Sequence, residues 1–395
     1  LYSTDGYELI AVPTYTQDFL ISSISDKIAD GAMSGLTLTT ELDLSRIKQI
    51  GKYALADSTV TKVKFAEITA IPEGLFAGCS ELTEVEGLEK VTSVGDQAFI
   101  GCKSLATVSL PNVTTIGNQA FALCEKLASV SADKLTTVGD GAFSGANIVN
   151  VNFPNLSVVG TEAFADSYGT LTVKLGAVTQ MGDYVFKNSN EITSVQFGEG
   201  TTMVGAYALY STKIRSRLTS VTLPASVETI GDYAFYNCVS IKNIDLQGVK
   251  TIGNYAFYNS KSLTEADLGT VETIGDYAFT LSAIKTIKLD NATQVGNYAF
   301  NGSALTNVTF GALKYVGEYA FAETKLTTVT LPETFDSVRV DYHWNEYDEK
   351  GRVEKERMRE VSAYGAGAFA NIKTLTEINA NGKNIASFEG VLYAK

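Results

Sequence analysis

The hexapeptide Ile230-Gly231-Asp232-Tyr233-Ala234-Phe235 returns as Ile252-Gly253-Asn254-Tyr255-Ala256-Phe257. With the phenylalanine as marker, copies fall at Leu55, Phe76, Phe99, Phe121, Phe143, Phe164, Phe186, Leu209, Phe235, Phe257, Phe279, Phe300, Phe321 and Phe369, and Met33 fills the slot in an earlier one. Most steps are 21 to 23 residues. A fixed period of this size is the signature of a solenoid, in which no unit buries its apolar face without its neighbours. One elongated domain of about fifteen coils is therefore expected over 1–395.

Each repeat position has a physical task. The marker and the apolar residue five before it (Ile230, Ile252, Ile274, Val295, Val316) are predicted to point inward. Glycine stands four before the marker in thirteen of fifteen copies, which implies either a positive φ or a close approach of coils. Asp or Asn follows it (Asp96, Asn118, Asp232, Asn254, Asp276), a residue type that N-caps helices. Two after the marker, Gly or Asn recurs (Gly78, Gly101, Asn237, Asn259), as a left-handed C-terminal cap requires. One capped helical turn per coil is thus expected. A strand such as Leu218-Thr219-Ser220-Val221-Thr222-Leu223 follows, and stacked strands would build a parallel sheet spaced about 4.8 Å. The expected fold class is an α/β solenoid, a long parallel β-sheet on one face and short helical turns on the other.

The pattern L-x-x-V-x-L-P followed by I-G-x-x-A-F-x-x-C resembles the BspA-type leucine-rich repeat of bacterial surface proteins, over about residues 24 to 380. "SFEGVLYAK" (387–395) and "LYSTDGYELIAVP" (1–13) resemble parts of that family's non-repeat module, so 1–23 and 381–395 are expected to be partial modules of that kind. The resemblance implies a leucine-rich-repeat superhelix, secretion to a bacterial cell surface, and adhesion to proteins of a host or a neighbouring cell.

Charge narrows the partners. The net charge of −13 disfavours nucleic acid, where affinity rests on phosphate neutralisation, and an anionic membrane surface for the same reason. No run of 18 apolar residues is present, so no membrane insertion through a helix is expected.

The four cysteines, Cys79, Cys102, Cys124 and Cys238, all lie three after their marker, in a slot otherwise filled by Ser58, Ser167, Ser189, Ser260, Ser282, Ser303, Thr324 or Ala146. They are expected to be small buried free thiols. Their spacings are the repeat period, not those of a zinc site.

Little else suggests chemistry. His343 is the one histidine, so neither a multi-histidine metal centre nor a catalytic triad away from it is available. Asp245 and Asp267 occupy the same outward strand position in adjacent coils, but any two acids in one column would. A flat sheet offers no cleft to raise one pKa. Glu41 and Asp43, Lys62 and Lys64, Glu84 and Glu86 read as a charge ladder on three neighbouring strands. The remaining outward face is small and polar (Ser109, Ser131, Asn152, Thr222, Thr309, Thr330), which suits solvation or broad contact with protein or glycan. No catalysis, no cofactor and no metal is expected.

Two features point to binding. Two before the marker stand Tyr184, Tyr207, Tyr233, Tyr255, Tyr277, Tyr298 and Tyr319 in consecutive coils, with Tyr210, Tyr236 and Tyr258 one after it. On a helical turn, a residue two before an inward one points out. Aligned tyrosines suit an interface or sugar stacking, and equally suit mutual packing along an outer edge. The second feature is the 48-residue step from Phe321 to Phe369. The excess lies at 336–360, where Val338, Val340, Tyr342 and Trp344 alternate with Arg339, Asp341 and His343. A projecting hairpin turning at "EYDEKGR" is predicted, with a second strand or a short helix returning, near the C-terminal end of the sheet. It holds the one Trp, the one His, and Tyr347 among fourteen charged residues.

The sequence thus predicts a monomeric, non-enzymatic, secreted or cell-surface protein that binds an extracellular protein, or alternatively a glycan for polysaccharide capture. The candidate contact residues are Tyr233, Tyr255, Tyr277, Tyr298, Tyr319, Tyr342, His343, Trp344 and Tyr347.

Overall fold

An apolar column is buried only when the next coil covers it, and both halves of this protein are built on that dependence. The computed structural model describes residues 1–13, 21, 23–37, 41–335, 339–347, 353–362, 367–380, 385–388 and 391–394, with backbone alone for the strands at 339–347, 353–362 and 385–394 and for residue 380. The chain divides into two compact units, Leu1–Ile192 and Thr193–Lys395. Each is a parallel β-solenoid whose coils contribute two strands apiece.

One strand in each coil is the expected outward-facing one. In the first unit Lys62–Lys64 pairs with Leu42–Asp43 and Glu84–Glu86, and Thr107–Ser109 pairs with Ser129–Ser131. In the second, Thr286–Leu289 pairs with Asn307–Phe310. The other strand is the two-residue segment that ends on the apolar residue five before the marker. In the second unit Met203–Val204, Thr229–Ile230, Thr251–Ile252, Thr273–Ile274, Gln294–Val295 and Tyr315–Val316 form one in-register ladder. Ala70–Ile71 to Gln180–Met181 form its counterpart in the first.

Between the two ladders lies the core. The marker phenylalanines from Phe76 to Phe321 are buried, and neighbouring ones stack face to face. Phe99 and Phe121 sit 4.8 Å apart with planes 6° from parallel, and Phe257 and Phe279 sit 5.1 Å apart at 7°. Leu, Val and Ile from both strands fill the rest.

The expected helical turns are absent: among the described residues the marker segments are turns, with no helix. Backbone donors explain why. In the coil at 231–238, Ala234, Tyr236 and Cys238 donate back three residues, to the carbonyls of Gly231, Tyr233 and Phe235. The alternate donors Tyr233, Phe235 and Asn237 instead reach the next coil, at the carbonyls of Asn254, Ala256 and Tyr258, with distances of 2.8, 2.8 and 3.0 Å. A continuous helix would keep all of these donors inside the coil. To aim alternate donors outward, the chain enters the left-handed region twice per turn, as at Tyr233 (φ 55) and Asn237 (φ 59).

The Asp/Asn column changes role accordingly. Rather than capping its own coil, each side chain accepts a backbone N–H from the next. Asn254 Oδ1 takes that of Asp276 and Asp276 Oδ1 that of Asn297, both at 2.7 Å. Of the two roles open to the glycine column, close approach is the one realised. A Cβ on Gly253 would lie 2.6 Å from the Asp232 nitrogen and 2.8 Å from the Gly231 carbonyl carbon.

The ladder passes over the long step in the sequence. Thr328–Leu331 pairs directly with Glu377–Ala380, and Phe321 stacks on Phe369 at 5.4 Å. The intervening chain leaves the coil as an antiparallel hairpin, Arg339–Tyr347 with Val353–Ser362, in the register Tyr342↔Arg359, His343↔Met358 and Trp344↔Arg357. At the C-terminus Ile385–Phe388 and Val391–Ala394 form a second hairpin. Near the N-terminus Glu8–Leu9 pairs in parallel with Lys27–Ile28, which pairs in turn with Gln49–Ile50 in a separate three-stranded sheet.

All four cysteines are buried free thiols. Cys79, Cys102 and Cys124 donate to the marker carbonyl of the preceding coil, Leu55, Phe76 and Phe99, at 3.0, 3.2 and 3.1 Å, and Ser189 makes the same bond to Phe164 at 2.9 Å. Burial pushes the Cys79 thiol up to about 11 and those of Cys124 and Cys238 up to about 12. At neutral pH they hold no thiolate to react. Native protein should therefore resist a thiol reagent and release four equivalents once unfolded; fast native labelling would contradict this burial. The core makes a second prediction: Phe257→Ala should destabilise by about 3–5 kcal/mol, as truncation of a buried phenylalanine does. Denaturant unfolding at the wild-type midpoint would show that the stack carries little of the stability.

Candidate functional site: an outer tyrosine ladder

Tyr233, Tyr255, Tyr277, Tyr298 and Tyr319 form a second aromatic stack outside the core, continued by Tyr207. Successive ring centroids from Tyr207 to Tyr319 are 4.6, 4.6, 4.6, 4.7 and 5.1 Å apart, with planes between 3° and 18° from parallel. Each side chain is half-buried. Burial raises the phenol pKa of Tyr255 and Tyr277, and the adjoining tyrosines add to it. Tyr210, Tyr236 and Tyr258 form a shorter parallel column, 5.1 and 5.0 Å apart, and meet the main one edge-on or tilted, as Tyr233 and Tyr236 do at 5.6 Å and 45°.

The outward direction of these rings has a different origin from the expected helix. All sit in the left-handed region, at φ 55 for Tyr233 and Tyr255, 57 for Tyr277, 55 for Tyr298 and 52 for Tyr319. Glycine adopts this conformation freely, whereas a bulky L-residue is an outlier there at about 1–2 kcal/mol. The chain itself puts glycine at the equivalent place in Gly31, Gly74, Gly141 and Gly367, with φ between 59 and 66. In the first unit Gln97 and Gln119 occupy it and join side chains at 3.1 Å, and Tyr53 donates its hydroxyl to Glu73 at 2.8 Å.

Stacking constrains what the ladder can touch. Each internal ring has both faces against its neighbours, so edges and hydroxyl ends are what it presents outward. Face stacking by planar or sugar groups is therefore closed at every internal ring of the column.

Tyr342, His343, Trp344 and Tyr347 are all on the first strand of the 339–362 hairpin. Their side chains lie outside the described residues. The hairpin follows the coil that carries both Tyr319 and Phe321.

The remaining candidates have local roles. Asp245 Oδ1 accepts the Gln247 N–H at 2.9 Å and Asp267 Oδ1 that of Gly269 at 3.0 Å, so each closes its own turn, beside a shallow depression shared with Asn243, Glu265 and Thr286. In the charge ladder Lys62 and Glu84 meet at 2.5 Å, while Asp43 takes the Ser45 N–H at 2.9 Å. Among the described residues no group of three or more His, Cys, Asp or Glu is placed to hold a metal, and no helix is long and apolar enough to cross a membrane.

No curated protein matches the chain. Among solved structures it is similar to a leucine rich cell surface protein from Faecalibacterium prausnitzii A2-165, 19% identical, covering 78% of this chain and 92% of that one with a TM-score of 0.41. A leucine-rich repeat protein from Bacteroides ovatus is 21% identical, with coverages of 74% and 93% and a TM-score of 0.41. The pneumococcal vaccine antigen PcpA is 17% identical, with coverages of 97% and 75% and a TM-score of 0.38. The family model described as BspA type leucine rich repeat region (6 copies) matches residues 14–128, 48–170, 114–217, 214–312 and 273–393. With those overlapping matches running through almost every coil, the chain belongs to the BspA-type leucine-rich repeat family.

Proposed function

We propose that this protein is a non-catalytic binding protein of a bacterial cell surface, secreted or anchored there, that adheres to an extracellular protein through the tyrosine ladder of its second unit and the neighbouring hairpin. The observation that carries the reading is the retention of Tyr233, Tyr255, Tyr277, Tyr298 and Tyr319 at strained positions. The left-handed conformation costs about 1–2 kcal/mol per tyrosine. An aromatic pair contributes about 0.5–1.5 kcal/mol. These are of comparable size, so beyond the area that the rings bury on one another, stacking gives tyrosine little advantage over the glycine used elsewhere in the same column. A partner supplies the missing advantage, because tyrosine offers large contact area with few rotors and a polar tip.

A protein partner is favoured over a glycan by the geometry of the rings. Sugars are held on open aromatic faces, and here the internal faces cover one another. A row of edges and hydroxyls suits the mixed polar and apolar surface of a protein. The hairpin adds Tyr342, His343, Trp344 and Tyr347 as contact residues in this proposal. Trp and Tyr are enriched among residues that dominate interface energies.

Glycine provides a clean test, since the fold already accepts it in this column. The triple variant Tyr233→Gly, Tyr255→Gly, Tyr277→Gly should melt within a few degrees of wild type. Its affinity for whichever immobilised extracellular protein the wild type binds should fall at least about tenfold. Equal affinity would remove the ladder from the site, and wild-type protein that retained only polysaccharides would favour polysaccharide capture. The hairpin is tested separately. Because the strand and phenylalanine ladders bypass it, replacing 336–360 by a short turn should leave the melting temperature unchanged and weaken binding. Unchanged affinity would make the hairpin a decoration.

A further inference from the structure

The coil of Leu209 is longer than its neighbours, chiefly at one place. Leu209 to Leu218 spans nine positions, whereas Phe235 to Ile241 and Phe257 to Leu263 span six each. The three additional residues fall in Ser211-Thr212-Lys213-Ile214-Arg215-Ser216-Arg217. Both feet of this loop are buried and clamped to the next coil. Asn237 Nδ2 donates to the Ser211 carbonyl at 2.9 Å, and Ser240 Oγ to the Ser216 carbonyl at 2.6 Å. The loop is also braced internally, by the Lys213 N–H on Ser211 Oγ at 3.1 Å and the Arg215 N–H on the Lys213 carbonyl at 2.8 Å. Its tip, Thr212 to Arg215, is exposed, and Ile214 has 62% of its surface open to solvent.

The charge of this region opposes that of the protein. The whole chain carries −13, yet no Asp or Glu occurs from Gly200 to Val227, where Lys213, Arg215 and Arg217 supply three positive charges. Two exposed cations at the tip of a loop on an acidic protein, Lys213 and Arg215, favour acidic partners over basic ones. Exposed Ile214 stands between two of the cations. A large apolar side chain at the tip of a braced loop gains from burial only if the partner brings apolar surface there.

The geometry points to a docking site at 211–217 for an acidic polypeptide segment whose carboxylates flank an apolar side chain. The carboxylates would pair with Lys213 and Arg215, and the apolar residue would cover Ile214. An anionic polysaccharide could meet the charges but would set hydroxyls against Ile214, which leaves the apolar contact unmade. The braced loop is already in shape, so little ordering opposes binding. This site adds a second contact surface to the binding role proposed above and does not use the Tyr233–Tyr319 column.

The test is a selection of displayed random peptides on the full chain, with subtraction against K213E/R215E, followed by affinity measurement at low and high salt. Recovered peptides should place Asp or Glu around Leu, Ile, Val or Phe. They should lose at least tenfold in affinity for K213E/R215E, weaken on I214S, and weaken with salt. They should bind the K213Q/R215Q protein poorly as well, and should bind the Tyr233, Tyr255, Tyr277 to Gly protein as tightly as wild type, so that failure here is separable from failure of the ladder. Thermal melts matching wild type show that these surface variants fold. The proposal is overturned if no peptide distinguishes wild type from the charge-reversed protein, or if affinity is indifferent to I214S. It is also overturned if heparin or hyaluronan, rather than any peptide, depends on Lys213 and Arg215.

Discussion

The alternation of backbone donors in the marker turn is the constraint on which the rest of this structure depends. Every second N–H between Gly231 and Cys238 crosses to the next coil, and those between them close the turn. This bonding excludes a helix, requires two left-handed residues per turn, and fixes the rise between coils. The remaining columns inherit their geometry from it. Phenylalanine rings stack inside at about the coil spacing, tyrosine rings stack outside at nearly the same spacing, and Asp or Asn side chains take the N–H of the residue one coil ahead.

The inner and outer aromatic columns obey the same spacing for different reasons. The marker phenylalanines from Phe76 to Phe321 are buried, and their column is the core. The tyrosines are half-buried at positions where glycine serves elsewhere, so the fold tolerates them more than it needs them. That distinction makes the outer column a better candidate for function than the inner one. It also separates it from the outward strand face, whose small polar residues and turn-closing aspartates are accounted for locally.

Departures from the period are where the chain invests side chains that the stack does not require. The hairpin at 339–362 leaves the coil without disturbing strand pairing or ring stacking on either side. The loop at 211–217 leaves it on a smaller scale, with both feet held by the following coil. In each case the ladder continues past a segment that leaves it.

Period, core and family were legible in the sequence because each rests on residue identity repeated at fixed spacing. Phe257 and Ile252 had to point inward for any stack of such coils to exclude water, and the cysteines had to be small and buried because serine alternates with them. The capped helical turn was not legible. Asp232 before an apolar pair and Asn237 after it are what a helix would use, and the identical residues serve a turn whose donors go to another coil. Composition within one coil carries no information about where an N–H finds its acceptor when that acceptor lies 21 residues away, as it does for Tyr233. The tyrosine column, with mutual ring packing as one of its two readings, could be read in the sequence, but its strained backbone could not. The loop at 211–217 carried a signal, three surplus positions and a gap in acidic residues, yet only the tertiary structure shows its feet clamped and its tip exposed. The sequence by itself determined which residues repeat and which must be buried; the tertiary structure decided the turn conformation, the second strand ladder and the exposed faces, because those follow from hydrogen bonds between coils.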